Sequence, residues 1–491
     1  MTSSHMIQPY RNKQLFLDDH AIESTFGLRR VLNKPTRVGP VIRPDRSRGQ
    51  ISLQTADPPQ WNSNKGVFEW FYGGGYAVPP QGRRLHAETH ATHYATSQDG
   101  VHWDTSPLRL YEWQGSKDNN IAIDPAGRSL AHIVRDERDD DPDRRYKALF
   151  TAHGGTSRAP AVSPDGFNWT MIDVPSIPSD DTSYLTYDET TSQFLATVKI
   201  GTEWGRSVWL STSPDFLMWT DPKLILHSDE IDRNNRRRRI QELVADPGLL
   251  TPPIVDDTKH IAQIYKMPIM PYEGIYIGFP VLFNPAGVIP EPWGNFTAIN
   301  QVEVAVSRDL YNWHRVANRD VFIGVQPWDG VSYETMQLLT CGRPHVHEDR
   351  EIWVYYTALR FRGPKELWAQ PYHEYFDDMS ALCLAKVRLD GFVSLDADKR
   401  GTLLTMPFSL NGGRLVINAD ATAGQISAEV VDAQTGGPLT GLSESDCGPV
   451  RGDQLRGVLT WSGAAELKHD RPVRIRFTLE GARLYAFWLE E

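Results

Sequence analysis

The chain reads as all-β: a five-bladed β-propeller over residues 7–405 followed by a C-terminal β-sandwich over residues 406–491. Three observations predict this. A Ser-x-Asp-x-x-x-Trp element occurs four times, β-rich runs precede each copy, and glycine (38 residues) and proline (34) punctuate all 491 residues. That mix favours many short strands over long helices, and a chain of this length exceeds one compact core unless the architecture is a large all-β one.

The repeats come first because they set the fold. The copies span 97–103, 163–169, 213–219 and 307–313, with a degenerate turn at 388–392. Aspartate and glycine supply the turn chemistry of a hairpin, and the tryptophan is placed to cover its apolar face. A hairpin cannot bury that face alone, so neighbouring units must stack, as propeller blades do. Five further strand-like runs, at 68–72, 146–150, 194–198, 275–279 and 352–356, set the expectation of five blades. The repeats are unevenly spaced, which implies inserted long loops, chiefly 229–250 and 283–299, on a face where such loops build binding sites. Beyond 405, alternating runs at 415–419, 426–430, 473–477 and 484–488 suggest two packed sheets.

A net charge of −11 and a pI near 5.8 exclude a broadly basic nucleic-acid surface. The one basic run, Arg236 to Arg239, is flanked by Asp229, Glu230, Asp232 and Glu242, which predicts a locally neutralised, solvated loop or short helix. Cys341, Cys383 and Cys447 form neither a disulfide framework nor a zinc motif and are expected as buried free thiols. His345 and His347 would share one face of a strand without forming a metal site, and no cofactor is expected. No apolar run is long enough to span a bilayer and no signal pattern opens the chain, so the expectation is a cytoplasmic protein without a membrane partner. Residues 2–6, Thr-Ser-Ser-His-Met, read as a cloning remnant; had a leader preceded them, the protein would be secreted or periplasmic. Homo-oligomerisation is left open.

In a propeller the first strand of each blade lines the axis, so acids remote in sequence converge there. Cleaving a glycosidic bond takes a proton donor and a second carboxylate. Asp18 and Asp19 end the apolar run Leu15-Phe16-Leu17, and strand alternation favours Asp19. Asp136 follows an apolar strand beside Arg135, which would keep its carboxylate ionised. Glu273 lies in an apolar, aromatic stretch next to Tyr272, where desolvation would make it the proton donor. Asp181 and Glu334 stand at the starts of expected inner strands as reserves. Trp204, Trp328 and Tyr333 could stack on a sugar ring.

These features resemble the five-bladed propeller glycosidases of the invertase/levansucrase and arabinanase/xylosidase clans: Leu17-Asp18-Asp19, Arg135-Asp136, a later glutamate and an appended C-terminal β-unit. The invertase Trp-Met-Asn-Asp-Pro-Asn-Gly signature is absent, and Glu137 rather than proline follows Asp136. The resemblance implies an exo-acting glycoside hydrolase on fructosides or arabinofuranosides, with an oligosaccharide or glycoside as partner. It further implies Asp19 as nucleophile or base, Asp136 or Asp181 as transition-state stabiliser and Glu273 as general acid. The alternatives are a propeller that binds sugar without cleaving it and a protein-interaction scaffold.

Overall fold

The computed structural model describes residues 6–77, 88–125, 130–256, 260–462 and 467–491, so residues 2–5 of the expected cloning remnant lie outside it. The architecture is all-β with a propeller-like arrangement of sheets. The described residues hold one α-helix, Glu230–Ala245, and no helix among them is long and apolar enough to cross a membrane.

Three antiparallel meanders stand as discrete sheets: one built on Gln50–Gln54, Val67–Ala77 and Glu88–Ser97, one running from Leu130–Arg135 to Thr170–Met171, and one running from Ser183–Asp188 to Lys223–Leu226. The remaining propeller strands form a composite. An eight-stranded sheet runs from Gln263–Lys266 through Ser380–Arg388 to the early strand Thr36–Ile42, beside a four-stranded sheet from Ile269–Tyr272 to Trp313–Arg315. With the eight-stranded sheet and its four-stranded neighbour taken as one composite, this is a four-unit arrangement and not the expected five separate blades. The physical reason is a parallel pairing of Asn300 with Gln337, which ties together strands of neighbouring repeats.

The Ser-x-Asp-x-x-x-Trp element turns the third strand of a meander into its outer edge. In the copy at 163–169, Asp165 Oδ1 accepts from the amides of Phe167 and Asn168 at 2.8 Å, Ser163 Oγ donates to Asp165, and the Trp169 indole donates to the Gly166 carbonyl at 2.9 Å. The fourth position needs left-handed backbone. It is Gly100 (φ 70°) and Gly166 (φ 83°) in two copies, while Phe216 (φ 64°) and Leu310 (φ 71°) accept the same strain in the others, where their side chains are buried.

The two segments expected as inserted loops are ordered elements. Residues 283–299 fall within the antiparallel pair Val281–Ile289 and Asn295–Val302, and 229–250 holds the helix. Asp229 caps that helix, its side chain accepting from the amides of Ile231 and Asp232. The basic run is therefore not wholly solvated: Arg236 and Arg239 are buried, Arg236 donating to the Pro285 carbonyl at 2.7 Å and Arg239 pairing with Glu303 at 2.7 Å. All three cysteines are free; Cys341 and Cys383 are buried and Cys447 is partly exposed.

The C-terminal region is one nine-stranded hydrogen-bonded sheet in place of two separate sandwich layers. Its longest strands, Arg414–Asp432 and Lys468–Glu490, pair across a register shift near Asp420 and Gln425. Such irregularities let a single sheet bend over its own core, here Leu403, Phe408, Ile426, Phe477 and Phe487. The N-terminal strands join this sheet and not the propeller axis: Gln14–Leu15 pairs with Phe487 and Ala486, Ile22–Phe26 with 402–405, and Arg29–Leu32 with 393–396.

Candidate active site

Two hollows are lined by residues from several of the propeller sheets. The first hollow, about 280 Å³, is lined by Asp57, His132, Asp181, Thr182 and Lys266, with Tyr72, His90 and Thr92 on its walls. The second, about 440 Å³, is lined by Pro58, Trp61, Arg135, Tyr187, Tyr272 and Arg343 among others. A buried layer containing Tyr184 and Cys341 lies between them, with Tyr184 Oη donating to Thr340 and its ring 5.6 Å from that of His132.

Most of the expected site residues lie elsewhere. Asp19 is 79% exposed and pairs with Arg30, while Asp18 is held bidentately by Arg308 at 2.7 and 3.0 Å. Both are carried away from the axis because Leu15, Phe16 and Leu17 bury into the core shared with the C-terminal sheet. Burial opposes the charge on Asp18, yet Arg308 outweighs it and holds the carboxyl below its usual range. Glu273 sits in a third cavity of about 190 Å³ with Asn12, Lys13 and His20, accepting from the Lys13 amide at 2.9 Å. Its apolar chain neighbours Ile269 and Met270 turn into the core while Glu273, at φ 49°, points away from them. Asp136 is buried between Lys147 (2.8 Å) and Arg138 (2.6 Å), which overcome the cost of burial and keep it ionised. Asp18, through Arg308, and Glu273 border the same third cavity, Asp136 lies apart from it, and none of Asp19, Asp136 and Glu273 lines the first hollow.

Glu334 is buried and occupied by Arg37 and the Tyr356 hydroxyl, both at 2.6 Å. Tyr333 donates to Asp378 beneath the Arg360 guanidinium, and Trp328 packs against Phe361, Tyr372 and Tyr375. Trp204 stacks on His227. None of these four lines the first hollow. Arg135 and Tyr272 do meet, but in the second hollow, where Arg135 is paired with Glu137 and Tyr272 with Asp390.

Of the expected acids only Asp181 reaches the first hollow, at the start of Ser183–Asp188, with Lys199 bonded to its carboxylate. Burial opposes its charge, but Lys199, with Arg206 and Arg158 near it, brings its carboxyl below the usual range. Asp57 is the acid that sequence reasoning missed. The strand Gln50–Gln54 delivers it to the hollow just before Pro58-Pro59, and Asp57 Oδ1 accepts from the Ile133 amide at 2.8 Å. Burial holds its carboxyl well above the usual range, against the pull of that hydrogen bond and of Lys266. His132 beside it, 3.8 Å from Oδ1, is kept neutral by burial. The available signal was an acid following a short strand and directly preceding a proline pair.

The hollow therefore brings together two carboxyl groups in opposite surroundings, Asp57 disfavoured as an anion by burial and Asp181 favoured as one by Lys199. Among the described residues no cluster of histidine, cysteine, aspartate and glutamate could hold a metal ion.

No family model matches the chain, and no curated protein matches it. Solved structures show a likeness at low identity. A glycosyl hydrolase from Bacteroides ovatus is 14% identical with a TM-score of 0.40, the match covering 77% of this chain and 96% of that one. The catalytic domain of the Coprinopsis cinerea GH62 α-L-arabinofuranosidase is 10% identical with a TM-score of 0.40, covering 73% and 98%. An N-acetylgalactosamine deacetylase from F. plautii, in complex with blood group B trisaccharide, is 13% identical with a TM-score of 0.39, covering 75% and 97%. Each name is that of a carbohydrate-processing enzyme. At these TM-scores the likeness assigns neither residues nor reaction to this chain.

Proposed function

We propose that the chain is a glycoside hydrolase whose active site is the hollow holding Asp57 and Asp181. The observation that carries this reading is that two carboxyl groups face one cavity in opposite surroundings, Asp57 buried without a bonded cation and Asp181 held by Lys199. Asp57, neutral in its dry corner, donates a proton to the leaving-group oxygen as the glycosidic bond breaks. Asp181, ionised and facing the water of the hollow, stabilises the cationic sugar or activates the attacking water. Thr92, Thr182 and His90 offer hydrogen-bonding groups to sugar hydroxyls, and Tyr72 offers an aromatic wall. The floor is closed by His132 and Lys266, 2% and 4% exposed, and a blind pocket suits removal of a terminal residue. In the same reading, the composite block is two blades fused at Asn300–Gln337, which completes five blades around the axis, and residues 14–32 with 393–490 form the accessory unit.

The test is a panel of nitrophenyl furanosides and pyranosides with fructans, run on the wild type, Asp57→Asn and Asp181→Asn. Each substitution is expected to lower kcat by about 10²–10⁴-fold with folding intact. Full activity in Asp57→Asn, or no turnover of any glycoside by the wild type, overturns the proposal; sugar binding without turnover would instead mark a binding propeller.

A further inference from the structure

Lys266 lines the hollow, and four further cations, Lys199, Arg158, Arg206 and Arg362, surround Asp181 at its edge. Lys266 is 4% exposed with its ammonium 5.1 Å from the face of the Tyr184 ring, and among the described residues no oxygen hydrogen-bonds or ion-pairs with that ammonium. Burial pushes the Lys266 pKa down to about 8, still charged in most molecules at neutral pH, so a cation that no protein oxygen holds faces the hollow.

Around Asp181 the pattern repeats. Lys199 pairs with Asp181, but Arg158, Arg206 and Arg362 find only neutral acceptors. Arg158 donates to Ser183 Oγ and to the carbonyls of Ser157 and Asp180, and Arg206 to Gln263 at 2.8 Å. Arg362 donates to Gln337, Asn295 and the Phe296 carbonyl, and both it and Arg206 lie 4.8 Å from the Phe283 ring. Against these five cations stand three carboxyl groups, Asp180, Asp181 and Asp57, the last disfavoured as an anion by its burial. A neutral sugar would leave Lys266 without a counter-charge, whereas an oxyanion would supply one together with the hydrogen-bond acceptors that the ammonium lacks.

We propose that the sugar bound in this hollow bears an anionic substituent, a uronate carboxylate or a sulfate ester, recognised by Lys266 within the surrounding arginine cluster. This deepens the proposed function and rests on the same hollow. The measurement is calorimetric binding to matched pairs: glucose and glucuronate, galactose and galacturonate, N-acetylglucosamine and its 6-sulfate. At least one acidic member is expected to bind tenfold or more tighter than its neutral counterpart, with an affinity that falls as salt rises. Lys266→Met, its folding checked by Tm, is expected to erase that preference and Lys266→Arg to keep most of it. The pair that responds tells carboxylate from sulfate.

The inference is overturned if no acidic sugar binds better than its neutral partner, if the preference survives Lys266→Met, or if inorganic phosphate alone binds with the Lys266 dependence. Because binding is read without turnover, the two proposals separate. Acidic-sugar binding with no hydrolysis of the matching nitrophenyl uronosides or sulfated glycosides sinks the hydrolase reading alone, and hydrolysis confined to neutral glycosides sinks this one alone.

Discussion

Burial disfavours the charged form of Asp57, and that has a thermodynamic sign. In the unfolded chain an aspartate loses its proton near pH 3.9, whereas in the fold Asp57 keeps it to much higher pH. Between those two values the folded state binds more protons, so this group's contribution to stability falls as pH rises. Asp57→Asn, which mimics the neutral acid, is therefore expected to raise Tm at pH 7–8 while abolishing activity, with the gain shrinking toward pH 4. Thermal melts across that range check it, and a lower Tm at neutral pH would show that Asp57 is charged in the fold. The residue was legible only in part. Its position after a short strand is written in the chain, but nothing local announces that its environment is dry. Asp181 was readable as an acid opening an inner strand, while Asp19 misled because strand alternation tells which face a residue takes without telling which sheet the strand joins.

Two elements carry separable predictions. The repeat turn was legible in full, since serine, aspartate and tryptophan bond only to near neighbours. Asp165→Ala removes the acceptor for the Phe167 and Asn168 amides and is expected to cost about 1–2 kcal/mol by denaturant unfolding, with kcat unchanged. The arginine-rich helix was misread as solvated because its partners are distant in sequence. Glu303, fully buried, accepts from Arg239 and Arg315, and the neighbouring Asp232 holds Arg319 at 3.0 Å. Glu303→Gln leaves two buried guanidinium groups short of their counter-charge and is expected to cost about 3–5 kcal/mol, or to prevent folding. A loss below about 1 kcal/mol in the same unfolding assay would show that the network is dispensable.

At the scale of the whole molecule, buried neutral imidazoles set the acid limit. Burial brings His93 and His345 down to about 4 and His132 well below its usual value. Each is titrated near pH 6.5 in the unfolded chain, so between about pH 6.5 and 4 the unfolded state binds more protons and stability falls on acidification, by up to about 1.4 kcal/mol per group per pH unit. Tm is expected to drop from pH 7 to pH 5, against the smaller opposing trend of the single Asp57 across the same range, and a flat profile would contradict the burial of these rings as neutral groups. Asp139 and Asp229, held near 2 by their hydrogen-bonded cations against the cost of burial, add to the loss only below about pH 4.

The all-β class and the stacked hairpins follow from the sequence, because turn chemistry and strand composition are local properties. The tertiary structure alone decided which strands share a sheet, so it sent the N-terminal acids to the C-terminal sheet and fused neighbouring repeats at Asn300 and Gln337. It also decided which carboxyl groups share one hollow and which of them burial disfavours as an anion. Those outcomes depend on long-range pairing and on the dielectric around each group, and both are set by residues far away along the chain.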